Sequence, residues 1–176
     1  RSLPQRCTPK WAAQTIRRVN ETSFGFPSDG TIARRRAQAL STYVMLAAKS
    51  DWFASMALVE SVLSILESIF SENREDEDIA TYFAAALASI VSLLTRSEAQ
   101  DTAQKAGYYS DKACATAREF PIEAIIAHAA DAKRIEAYAW LRPENRSRLD
   151  NAREARKQVL KYGALYPESE TLAWEN

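Results

Sequence analysis

The chain has 176 residues, 47% of them apolar, and its 23 basic and 23 acidic side chains leave no formal net charge. That length suits one domain around one core, and a neutral balance supplies no global field to draw the protein to nucleic acid or a membrane surface. Four Gly and six Pro are too few for the turns of an all-β protein, so the expected fold class is all-α.

Thr8 followed by Pro9 is a cap-plus-proline start for a short basic helix over roughly 9–19. The stretch Asn20 to Gly30, with Gly25, Pro27, Ser28 and Asp29, is the richest turn signal and divides a basic N-terminal arm and linker, 1–30, from a single helical domain, 31–176. A second helix, about 31–49, turns Ile32, Leu40, Tyr43, Val44, Leu46 and Ala47 inward. Asp51 caps a third, about 52–70, in which Trp52, Met56, Val59, Leu63, Leu66 and Phe70 step by threes and fours. Only a narrow seam of Glu60, Ser61, Ser64, Glu67, Ser68 and Ser71 is polar, which predicts a central helix.

Glu72 to Asp78 turns the chain, and its acids suit the positive end of a fourth helix, about 78–95, striped by Ile79, Phe83, Leu87, Ile90, Val91 and Leu94. Ser97-Glu98-Ala99-Gln100 reads as a capping box for a fifth helix reaching about Glu119, with Ala99, Ala103, Ala106, Ser110, Ala113 and Ala117 in line. Pro121 serves as first-turn proline for a sixth, about 122–140, which sets Ile125, His128, Ala132, Ile135 and Ala139 in register and ends before Pro143. A seventh, about 147–162, stops at Gly163 in a left-handed cap. The tail that follows carries Trp174, a terminal aromatic of the kind that docks on its own fold or on a partner. About seven helices with short connectors predict an antiparallel multi-helix bundle or stacked helical hairpins, and no 34-residue repeat recurs.

Charge is polarised along the chain. Residues 1–40 hold eight basic and two acidic side chains, a net +6, and residues 41–105 hold four basic and ten acidic, a net −6. Arg17, Arg18, Arg34, Arg35 and Arg36 are therefore the candidate residues for nucleic acid or an acidic partner, since guanidinium groups bind phosphate and carboxylate bidentately. Three consecutive arginines fan out by about 100° each on a helix, so only two face one strand. Glu72, Glu75, Asp76, Glu77 and Asp78 are the counterpart for a basic partner. They lack the alternating ligands, central Gly and terminal Glu of a calcium loop.

Catalytic hardware is sparse. His128 is the single histidine, with Asp131 at i+3 and Glu123 nearby, but no nucleophile accompanies it, and a packing role is expected. Cys7 and Cys114 form no CxxC pair. Asn20-Glu21-Thr22 and Asn145-Arg146-Ser147 match the glycosylation acceptor, a pattern too short to place a compartment. The sequence shows no initiator Met or signal-like segment, which suggests a processed product. Helices three and four are the most apolar hairpin, yet Glu60, Glu67 and several serines argue against a membrane role; a hairpin apolar on more than one face is covered either inside a monomer's core or by an identical hairpin of a second copy. The expectation is a non-enzymatic α-helical interaction protein or self-assembling subunit, a homo-oligomer, with no metal or cofactor. The alternative is a nucleic-acid-binding regulator or nucleoprotein subunit using the N-terminal arginines.

Overall fold

The computed structural model describes residues 14, 17–18, 30–49, 56–96, 101–142, 145 and 148–166. Among them are six α-helices and no strand, an all-α multi-helix bundle: α1 (Gly30–Lys49), α2 (Met56–Glu72), α3 (Glu77–Leu94), α4 (Thr102–Glu119), α5 (Glu123–Trp140) and α6 (Leu149–Leu165). Gln14, Arg17 and Arg18 are helical. The Thr8-Pro9 start, the Asp51 cap, the 97–100 capping box and Trp174 lie outside the described residues. Two compact units, Arg1–Ala86 and Leu87–Asn176, meet at a boundary inside α3.

In the first unit α1 packs on α2. Ala33, Ala37, Leu40, Val44 and Ala47 recur at helical spacing and are buried. Leu46, expected inside, is 42% exposed, because the helical repeat carries it roughly 140° from the centre of that stripe. On α2, Val59, Val62, Leu63, Leu66, Ile69 and Phe70 are buried. Phe70 stacks on Phe83 of α3 with ring centroids 4.9 Å apart.

The turn between α2 and α3 is built from Asn73 and Asp76. The Asn73 side-chain amide donates to the Ile69 carbonyl at 2.8 Å, satisfying one of the carbonyls that the end of α2 leaves open. Asp76 Oδ1 accepts the backbone N–H groups of Asp78 and Ile79, each at 3.1 Å, and so caps α3. Glu77 and Asp78 follow in the first turn, where the helix dipole favours negative charge. Ile79, Phe83, Leu87, Ile90, Val91 and Leu94 are all buried, as their spacing predicts. By length and composition α3 also matches a membrane span, but most of it is buried inside the protein, as the central helix of a packed core is.

In the second unit α5 packs against both α4 and α6. Ala103, Ala106, Ser110, Ala113 and Ala117 of α4 are buried, and such small side chains let backbones approach closely. α6 contributes Ala152, Ala155, Val159 and Tyr162. The Arg142 guanidinium donates to the Thr95 carbonyl, tying the chain after α5 to the end of α3.

Two local expectations are corrected. Gly163 does not stop α6 in a left-handed cap: none of the described glycines has positive φ, and the helix continues to Leu165. Pro121 stands before the N-cap of α5, which is Ile122 in an extended conformation, rather than in the first turn. Asp101, just ahead of α4, is left-handed with φ 69°, a conformation that Asp tolerates better than most residues.

Candidate functional site

The charged residues singled out by sequence divide into two groups. Arg17, Arg18 and Arg35 are exposed, while Arg36 is half-buried. Arg34 turns to its own chain: its Nε donates to Asp76 Oδ2 at 2.6 Å, and Asp78 Oδ2 lies 3.7 Å away. The Asp76 hydrogen bond, followed by the charges of Asp76 and Asp78, holds the Arg34 guanidinium pKa above its usual value. Asp76 thus caps α3 with one oxygen and binds Arg34 with the other. Glu72 accepts a hydrogen bond from Ser68 Oγ at 3.1 Å, and Glu75, Glu77 and Asp78 face solvent. Opposite charges do meet within the first unit, where Arg34 binds Asp76.

A polar cluster that the sequence reading missed lies between α4 and α5. Glu136 Oε2 accepts from Ser110 Oγ at 2.5 Å and from Lys133 Nζ at 2.7 Å, while its Oε1 accepts from the Trp140 indole N–H at 3.0 Å. Lys133 Nζ also donates to Asp111 Oδ1 at 2.6 Å. Burial alone lowers the Lys133 pKa, but the bonds to Asp111 and Glu136 outweigh it and the net shift is upward. Beside this cluster Cys114 and Tyr162 share a hydrogen bond, and burial raises the pKa of both. A buried ion pair whose two carboxylate oxygens both accept hydrogen bonds adds less to stability than to the choice of one register between helices. Ser110 and Cys114 have nucleophilic atoms, yet Ser110 is fully buried and Cys114 only 1% exposed, so solutes do not reach them in this conformation.

His128 is partly buried, and burial lowers its pKa against the opposing charge of Asp131. Asp131 is itself bound by Arg134 at 2.6 Å. Among the described residues no group of three or more His, Cys, Asp and Glu is placed to hold a metal ion.

One open feature among the described residues of the second unit is a groove of about 770 Å³ between the outer faces of α5 and α6. Its apolar lining includes Tyr138, Leu141, Leu149 and Leu160, which are 62%, 56%, 41% and 54% exposed. Arg134, Arg153 and Arg156 line it as well, and among the described residues no carboxylate does. Arg134 and Arg153 each hold an acid one turn back, Asp131 and Asp150, outside the lining. Large side chains of this kind left in water around one concavity mark a surface for association. The signal was present in the sequence as Tyr138, Leu141, Leu149 and Leu160, which fall off the inward stripes of their helices.

No protein-family model, no curated protein and no solved structure matches this chain.

Proposed function

We propose that this chain is a non-enzymatic α-helical interaction protein, an adaptor or an assembling subunit, and that the α5–α6 groove is its docking surface. The supporting observation is the concentration of exposed Tyr138, Leu141, Leu149 and Leu160 in one concavity rimmed by Arg134, Arg153 and Arg156. Covering the exposed half of four such side chains contributes about 4 kcal/mol, the scale of a weak and reversible contact. The matching surface is acidic with apolar side chains. Two identical grooves set face to face would oppose arginine to arginine, which disfavours a symmetric pairing through this face.

Sedimentation velocity across protein concentration and ionic strength tests the reading. Association that weakens with salt, and is lost in a Leu141→Ser/Leu160→Ser variant of unchanged helicity, supports it. Mass unaffected by either substitution counts against the groove. A shift caused by a generic oligonucleotide at low salt, reduced when Arg17, Arg18 and Arg35 become alanine, favours the nucleic-acid alternative instead.

A further inference from the structure

Resting on the reading of the α5–α6 groove as a docking surface, we propose that its occupant is the outer face of α2 from a second copy of the chain. Arg134, Arg153 and Arg156 share the groove's lining with Tyr138, Leu141, Leu149 and Leu160, so it selects an acidic surface that carries no base. Among the described helices only α2 and α3 lack Lys and Arg. Past Asp78 no position of α3 is exposed, so that helix has no face to offer. α2 has one: Ala57, Ser61, Ser64, Ser68 and Ser71 are exposed and step by four, three, four and three. That is the spacing of the seam along which one helix lies on another.

The face fits in shape and in charge. Its centre is made of small side chains, a trough for the projecting Tyr138, Leu141 and Leu160, and a helical Ser hydroxyl can bond a carbonyl of its own preceding turn instead of a partner. Half-buried Glu60 and Glu67 flank one side of the seam, and half-buried Ile65 and exposed Glu72 flank the other. From Ala57 to Ser71 the seam runs about 21 Å at 1.5 Å per residue, against about 17 Å between Leu149 and Leu160 along the α6 wall of the groove. Pairing α2 with α2 would oppose Glu to Glu, as groove on groove opposes Arg to Arg. Only the unlike pairing brings acid to base. Such a contact closes as a reciprocal pair, each α2 in the other copy's groove, or continues as a ring or chain.

Two full-length variants test the contact by sedimentation velocity. Ser64→Trp fills the trough on α2 and leaves the groove intact, while Arg153→Glu/Arg156→Glu inverts the groove and leaves α2 intact. Each alone should associate about 100-fold more weakly than the unaltered chain. Mixed in equal amounts, they should form a one-to-one dimer and nothing larger, joined by the single undamaged contact, which a misfolded variant would not give. Adding Glu60→Lys/Glu67→Lys to the arginine variant exchanges the charges across the contact and should restore the association that either reversal alone abolishes. A mixture that stays monomeric while the unaltered chain associates overturns the proposal. An unaltered chain that is monomeric at low salt and the highest attainable concentration also overturns it, and leaves the groove to an acidic helix of another protein. Association that Leu141→Ser/Leu160→Ser abolishes but Ser64→Trp and Glu60→Lys/Glu67→Lys leave unchanged overturns it while the docking-surface reading stands. Association lost in the α2 variants but indifferent to both groove variants overturns the docking-surface reading itself.

Discussion

Lys133 Nζ and Glu136 Oε2 lie 2.7 Å apart one turn along α5, with each side chain only 8% exposed. The two substitutions that break the pair differ in what they leave behind. Lys133→Met strands the Glu136 carboxylate with only the neutral donors Ser110 and Trp140. Glu136→Leu leaves Lys133 with Asp111, whose side chain is 75% exposed. Removing one partner of a buried pair costs about 3–5 kcal/mol, and Lys133→Met is expected at the upper end. Urea unfolding of the two variants measures the difference: Lys133→Met should lose more than Glu136→Leu, and equal losses would show that the carboxylate is not stranded.

Gly107 faces that same carboxylate. A Cβ added there meets Glu136 Oε1 at 3.3 Å, tighter than ordinary contact, and the oxygen is held by the Trp140 indole. Replacing a mid-helix Gly by Ala ordinarily gains about 1 kcal/mol. Here Gly107→Ala is expected to lose that gain and to destabilise, because the bonds of Ser110, Lys133 and Trp140 prevent Glu136 from retreating. In a Glu136→Ala background the same substitution should recover the helix gain. A double-mutant cycle in urea gives the coupling directly. A stabilising Gly107→Ala in the unaltered chain would mean that the carboxylate moves freely.

The turn between α2 and α3 separates local from long-range charge effects. Asp76→Ala removes the cap of Asp78 and Ile79 N–H, a loss of about 1 kcal/mol. Arg34→Ala removes only an exposed ion pair, which side-chain entropy and solvent largely cancel, and should leave the thermal midpoint almost unchanged. Asp76→Asn, which keeps an oxygen for the cap, should fall near the unaltered chain. Equal losses from Arg34→Ala and Asp76→Ala would assign the stabilisation to the ion pair instead.

What the sequence made legible follows from periodicity. Apolar side chains at threes and fours located α2, α3 and α4, whose Val59, Leu66, Ile79, Phe83, Ala106 and Ala113 are buried. On α5 the stripe through Ile125, Ala132 and Ala139 was right, but His128 and Ile135 are only half-buried, and Ala129, Lys133 and Glu136 complete the inward face. Two charges spaced i,i+3 among alanines look like a solvated pair. Only their neighbours Ser110 and Trp140, 26 residues before Glu136 and one turn after it, show otherwise. Tyr138 and Leu160 stand off the inward stripes in the sequence, but that they line one groove shows only once α5 and α6 pack. Gly163 misled for a related reason: a glycine near a helix end suggests a left-handed cap, but the Tyr166 contact with Pro121 carries α6 onward.

His128 gives a pH dependence with a defined sign. Burial lowers its pKa below the usual histidine value of about 6.5. Asp131 pulls the other way, but its carboxylate is bound to Arg134 and so does less to hold a charged imidazole. Above the unfolded pKa the imidazole is neutral in both states and contributes no slope. As pH falls through that value the unfolded chain takes up the proton first, and stability is lost until the lower folded pKa is reached. Between pH 7 and 5 the unaltered chain should therefore lose more stability than His128→Gln, and the difference between them should level off at lower pH. Chemical denaturation of the two proteins in parallel isolates this term, because the carboxylates titrate alike in both. Parallel curves would place His128 in solvent-like surroundings, and a chain that gains stability on acidification relative to His128→Gln would mean that the Asp131 charge, and not burial, governs the imidazole.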